Sequence, residues 1–195
     1  MKKLVLLSIA LLLFSVYGIY ALGYAPSIIY KHEIGEKIDS FNGVYVYYNG
    51  PVSNVTSRNT TKDGYNLGLR YQCVEFVKRY YYEYFKHKMP NSYGHAKDFF
   101  QKGLKDGAMN KDRNLKQYTN PSATPPAVND LLIWSAYAGN PYGHVAIVSK
   151  VGEDFIEIIQ QNGGPTAPTR MKFDLKYENK LWYIEGSNIL GFLRK

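Results

Sequence analysis

Six short runs of β-type residues fill the last third of the chain: 130–135 (DLLIWS), 144–151 (HVAIVSKV), 155–161 (FIEIIQQ), 171–175 (MKFDL), 181–184 (LWYI) and 189–193 (ILGFL). Turn-forming clusters separate them, at Gly139-Asn140-Pro141, Gly152-Glu153-Asp154, Gly163-Gly164-Pro165 and Glu185-Gly186. Short runs divided by such turns predict an antiparallel meander. A layer of strands with one half-buried face needs something to cover it, so the rest of the chain must supply helices.

Residues 71–85 (YQCVEFVKRYYYEYF) do so. Cys73, Phe76, Val77, Tyr80, Tyr81 and Tyr84 fall at offsets 0, 3, 4, 7, 8 and 11, one face of a helix with Cys73 in its first turn. A second helix is expected over residues 96–104, after which Gly, Asn and Pro dominate through Pro126. Before the helix, residues 41–48 (FNGVYVYY) read as a strand closed by Asn49-Gly50-Pro51, and residues 52–69 read as loop. Helices followed by an antiparallel meander spell α+β. At 195 residues the chain has the length of one domain, and no internal repeat or phosphate-binding glycine loop interrupts it.

The N-terminus differs in kind. Met1-Lys2-Lys3 precede an uncharged stretch that lasts until Lys31, strongly apolar over residues 4–22. The apolar run exceeds the ~7–15 residues of a signal-peptide core and approaches the ~20 of a membrane span, so residues 1–23 are expected to be a signal peptide or an N-terminal membrane anchor. Gly18, or Ala21 with Gly23, offer small residues for cleavage. In either case residues 24–195 face outward, periplasmic or at the cell surface. A net charge of +8 favours anionic partners such as cell-wall polymer. Nucleic acid is not expected, because Lys and Arg form no run longer than two and no RNA-binding signature occurs.

Cys73 is the only cysteine, which removes intramolecular disulfides and cysteine-rich metal sites. In the first turn of a helix, free backbone N–H groups and the helix dipole favour its thiolate and lower its pKa. The same position on an apolar face also suits a buried structural cysteine. Of the four histidines, His32, His87 and His95 sit in solvated or capping contexts, whereas His144 follows Gly143 and opens an apolar strand. An imidazole there can take a thiol proton and later give it to a leaving amine, although a satisfied core histidine fits the spacing equally well.

Four segments in order, Tyr71-Gln72-Cys73-Val74-Glu75-Phe76, Asp130-Leu131-Leu132-Ile133-Trp134, Gly143-His144-Val145-Ala146-Ile147 and Gln161-Asn162, resemble the CHAP family of cysteine, histidine-dependent amidohydrolases/peptidases. Within that family the likeness is to the amidase domain of bifunctional glutathionylspermidine synthetase/amidase, from Leu22-Gly23-Tyr24-Ala25-Pro26 through Ile189-Leu190-Gly191-Phe192. The resemblance implies a papain-like α+β fold, with the nucleophile at a helix N-terminus packed on the antiparallel sheet. It implies Cys73 as nucleophile, His144 as base and then acid, and no metal or organic cofactor.

Members of the family commonly read Glu-x-Asn where this chain reads Gln160-Gln161-Asn162. Strand alternation places Gln160 and Asn162 on one face and Glu157 on the other, so Asn162 with Gln160 is expected to orient the imidazole through its Nδ1–H. Gln160→Glu is then expected to raise turnover. The Cys73 N–H supplies one arm of an oxyanion hole, and Gln72 supplies the other arm or positions the site. Asp130 and Trp134 read as structural. The expected function is an exported thiol amidohydrolase acting on peptidoglycan peptides; a glutathionylspermidine-type small amide is the alternative substrate, and an inactive binding module the alternative class.

Overall fold

The computed structural model describes residues 2–21 and 31–195. The backbone forms two units, residues 1–33 and 34–195. In the first, helix α1 (Lys2–Ala21) coincides with the apolar run, and its Leu11, Leu12, Leu13 and Phe14 are all exposed. Among the described residues, no helix is long and apolar enough to cross a membrane, so the expected anchor gains no support. The cleavage candidate Gly23 and the matched segment Leu22-Gly23-Tyr24-Ala25-Pro26 lie outside the described residues.

The second unit is α+β. Hairpin β1 (Lys37–Phe41) and β2 (Val44–Tyr47) replaces the single strand expected over residues 41–48. Asn42 and Gly43 turn at φ of 48° and 81°, the pair of positive angles that a two-residue hairpin turn requires. A second hairpin, β3 (Arg58–Thr60) and β4 (Asn66–Leu69), occupies the expected loop. Helix α2 (Cys73–Phe85) follows and ends at Lys86, whose φ of 54° is left-handed. Close packing of β4 on α2 depends on Gly68, where a Cβ would lie 3.3 Å from the Glu75 backbone at a φ of +130°.

The expected second helix is only a four-residue 3-10 turn, Ala96–Phe99. Phe100 is extended, and the Gln101 N–H donates 2.9 Å to Gln117 Oε1, so the sheet draws the chain away after one turn. The stretch beyond it holds β5 (Ala108–Asn110) and β6 (Leu115–Thr119). Then come β7 (Leu131–Trp134), β8 (His144–Val151), β9 (Phe155–Ile159), β10 (Arg170–Glu178), β11 (Leu181–Ile184) and β12 (Ile189–Arg194).

The eight-stranded sheet runs β11-β10-β9-β8-β7-β12-β6-β5, with every ladder antiparallel. From β7 to β11 it is the expected meander; β12 departs from it by returning between β7 and β6. Asp130 anchors that return, since Arg194 at the end of β12 donates 2.7 Å to its carboxylate. On one face of the sheet Leu131, Ile133, Val145 and Ile147 join Phe76, Val77, Tyr80 and Tyr81 of α2 in a core. On the other, Leu132, Ala146, Val148, Ile156 and Phe192 form a second core with Trp134 and Trp182 at its edge. Tyr84, expected in the apolar face, is exposed in the last helical turn.

Candidate active site

Cys73 begins α2, and the backbone N–H groups of Cys73, Val74 and Val145 donate toward its sulfur. The first two are among the N–H groups that a helix start leaves without intrahelical partners; the third comes from β8, one residue past His144. These donors favour thiolate. Burial opposes them and outweighs them, pushing the thiol up to about 11. The sequence expectation of an acidic thiol is thereby corrected. Counting helix-start N–H groups could not reveal that the residue is only 8% exposed, in one cluster with Phe76 and Val145.

His144 stands at the start of β8, opposite Trp134, with ring centroids 5.6 Å apart. Gly143 before it, at φ +73°, is required: a Cβ there would lie 2.5 Å from the Trp134 carbonyl. The imidazole Nε2 lies 2.8 Å from Gln160 Oε1. Gln160 commits its Nε2 to the Pro168 carbonyl at 2.9 Å and to Met171 Sδ at 3.1 Å, so only its oxygen is left for the ring. The ring must therefore donate. His144 carries its proton on Nε2 and keeps the Nδ1 lone pair, the reverse of the expected Nδ1–H contact. Burial also lowers the imidazole pKa, more than the Gln160 contact raises it.

A neutral thiol and a neutral imidazole follow. The rate of Cys73 alkylation by iodoacetamide is expected to keep climbing above the ordinary thiol pKa of ~8.5. An inflection below that value would show a resting ion pair and overturn this reading.

The three residues 160–162 part company. Strand β9 ends at Ile159, and Asn162 adopts a left-handed φ of 61°, which breaks the alternation that put it beside Gln160. Asn162 donates 2.6 Å to Gln72 Oε1 and 3.1 Å to the Val52 carbonyl, and accepts from Asn49 at 2.9 Å. The structure thus joins Gln160 to His144 and Asn162 to Gln72. Gln72 in turn donates from Nε2 to the carbonyls of Val52 at 3.1 Å and Asn54 at 2.7 Å. With both amide hydrogens committed it has none for an oxyanion, and of its two expected roles the geometry fits positioning.

Sequence reading missed the polar side chains under α2. Glu75 and Arg79 are buried and pair at 2.7 Å, with Gln161 buried against both. Their i,i+4 spacing was the available signal, but on an isolated helix such a pair reads as a solvated face. Among the described residues, no three His, Cys, Asp or Glu side chains come together to hold a metal ion.

Residues 61–162 match the CHAP domain family, a span that takes in Cys73, His144 and the 160–162 segment. The chain belongs to the CHAP family. Among curated proteins this CHAP chain is 26% identical over 168 residues to trypanothione synthetase of Crithidia fasciculata, covering 85% of the chain and 23% of that protein. It is 31% identical over 121 residues to glutathionylspermidine synthase of the same organism, covering 58% of the chain and 16% of that protein. The chain thus spans less than a quarter of either relative. Among solved structures it is similar to the endolysin LysIME-EF1, at TM-score 0.41 and 14% identity over 83% of this chain and 58% of that one. It is similar also to Ly7917, at TM-score 0.28 and 28% identity over 38% and 30%.

Proposed function

We propose that this CHAP domain is an exported cysteine amidohydrolase that cuts amide bonds in peptidoglycan peptides. One observation carries the mechanism: Gln160, with both amide hydrogens committed elsewhere, holds the imidazole of His144 by Nε2, and the next residue along β8, Val145, turns its N–H toward the helix-start cysteine. As Sγ bonds to the carbonyl carbon, its proton passes to the free Nδ1 of His144. The Cys73 N–H receives the developing oxyanion. When the carbon–nitrogen bond breaks, Nδ1 returns the proton to the leaving amine, and the acyl group remains on sulfur as a thioester. Water, deprotonated by the same nitrogen, attacks the thioester; the carboxylic acid leaves and the thiol recovers its proton.

The wall substrate is supported by the apolar segment 4–22 behind two lysines, which suits export, and by the net positive charge that the chain beyond those lysines keeps, which suits an anionic polymer. A second reading, a glutathionylspermidine-type amide, is favoured by the names of the two curated relatives. Purified muropeptides and glutathionylspermidine, incubated in parallel with the protein and read by mass spectrometry, separate them. Muropeptide cleavage that requires Cys73 is the expected result. Cleavage of glutathionylspermidine alone removes the wall substrate, and an inert Cys73 with neither substrate cut leaves a binding module.

A further inference from the structure

Gln161 takes no part in that mechanism, yet its side chain is fully engaged. It is 1% exposed and lies between the two halves of the site. Its Nε2 donates to the carbonyl of Gln72, the residue before the nucleophile, at 3.1 Å, and to Glu75 Oε2 at 2.9 Å. Its Oε1 accepts from the Tyr47 N–H of β2 at 2.8 Å and from Arg79 at 3.4 Å. Glu75 also accepts from Asn59 of β3 at 2.8 Å and from Arg79 Nε at 2.7 Å, while Arg79 reaches the Tyr45 carbonyl at 2.9 Å. Every donor and acceptor of this one amide is used, by partners on the hairpin, at the N-cap residue Gln72 and on the first two turns of α2.

The peptide bond on its N-terminal side leads directly to Gln160, which holds His144. The helix that sets the sulfur and the segment that sets the imidazole therefore meet in a single buried side chain. We propose that Gln161 is a positioning residue that fixes the spacing of Cys73 and His144 by tying the start of α2 to the segment carrying Gln160. The inference rests on the thiol mechanism above, but not on the identity of its substrate. A buried network of this kind is rigid when complete and costly when one member is unmatched, so the tie tolerates little slack. Misplacement by about 1 Å costs on the order of a hundredfold in rate.

The test replaces the donor by an acceptor at one atom and then restores one of its two matches. Gln161→Glu sets a second carboxylate against Glu75 and withdraws the donor to Gln72. Adding Glu75→Gln in the same chain rebuilds the 75–161 donor–acceptor pair in reversed polarity, and the oxygen of the new amide can still accept from Asn59 and Arg79 Nε, while the Gln72 carbonyl stays unmatched. Two readouts are taken on protein whose near-ultraviolet circular dichroism shows native packing. Muropeptide turnover gives kcat and KM; iodoacetamide labelling of Cys73 at fixed neutral pH needs no substrate.

Gln161→Glu is expected to lower kcat on the order of a hundredfold with KM little changed, and, because the neutral imidazole takes the thiol proton as general base in alkylation as in acylation, to slow labelling toward the rate of His144→Ala. The double variant, which regains the tie to Glu75's position but not the one to Gln72, is expected to recover part of both. If Gln161→Glu does not fold, Gln161→Asn, which keeps the amide but draws it back by one methylene, carries the same expectation. A folded Gln161 variant with wild-type kcat and labelling rate overturns the proposal, as does a double variant that regains thermal stability without rate. If the wild type cuts no muropeptide while labelling still responds to Gln161, the wall substrate fails and the positioning role stands.

Discussion

Cys73→Ala is expected to abolish amide hydrolysis, by more than about 10⁴-fold, because no other group can form the covalent acyl intermediate. The fold should survive. Cys73 lies at the rim of the helix core, 8% exposed, whereas Phe76 and Val77 one turn deeper are completely buried. Exchanging a sulfur for a hydrogen there removes little apolar area and costs about 1 kcal/mol. For a domain of this size that lowers Tm by about 2–4 °C. Phe76→Ala, by contrast, is expected to cost about 3–5 kcal/mol, since it empties a packed site. Differential scanning calorimetry beside a muropeptide assay separates the two effects. A Cys73→Ala protein that melts as early as Phe76→Ala would make the cysteine a core residue, and one that still hydrolyses would move the nucleophile elsewhere.

The contrast between those two positions shows what the sequence discloses. Period is local, so α2 and the six C-terminal strands are legible within a residue or two at most ends, and Cys73 and His144 come with them. What eludes a linear reading depends on partners far along the chain. Residues 96–104 carry an adequate helical pattern, yet Gln117 pulls the chain out of it at Gln101. The position of β12 between β7 and β6 leaves no trace in its own residues, since it is fixed by pairing to strands much earlier in the chain. Asn42-Gly43 was a legible hairpin signal that the surrounding aromatic residues masked.

The candidate site divides along the same line. Alternation could group Gln160 with Asn162 only by assuming that β9 continues through both, and the left-handed turn at Asn162 ends that assumption. Glu75 and Arg79 are charged residues on the flank of an amphipathic helix; nothing near them in sequence shows that the β1–β2 hairpin and Gln161 close over them. Partner identity, more than residue type, decides their role.

Gln160 is where this matters most, because its partners reverse the effect expected from sequence. On sequence alone, a carboxylate in its place stabilises the imidazolium and raises turnover, a Coulomb gain of about 1–4 kcal/mol at ~4 Å. The structure sets a cost against that gain. Gln160 is 5% exposed and its Nε2 donates to the Pro168 carbonyl at 2.9 Å, so in Gln160→Glu an ionised carboxylate oxygen would face a carbonyl oxygen with no proton between them. Leaving two buried acceptors opposed costs about 1–3 kcal/mol for the lost donor, and removing the carboxylate from water adds several more. The cost prevails, and the carboxyl is expected to stay protonated through neutral pH. In that form its O–H replaces the amide donor to Pro168 and its carbonyl still accepts from His144 Nε2.

The sign with pH follows. Wild-type turnover should rise as His144 loses its proton at its lowered pKa and then hold. Gln160→Glu should match it at the acid end and fall behind as pH climbs through the raised carboxyl pKa, because the ionised side chain swings away from Pro168 and takes the ring with it. Gln160→Ala should lose about a hundredfold or more at all pH values, since neither tautomer nor ring orientation is then held. Asn162→Ala should lose less, because its contacts end on Gln72, Val52 and Asn49 rather than on the ring. A pH–rate profile of kcat/KM for the three variants decides the matter. Gln160→Glu faster than wild type at or above neutral pH would show that the amide merely stands in for a carboxylate, and the argument from Pro168 would be wrong.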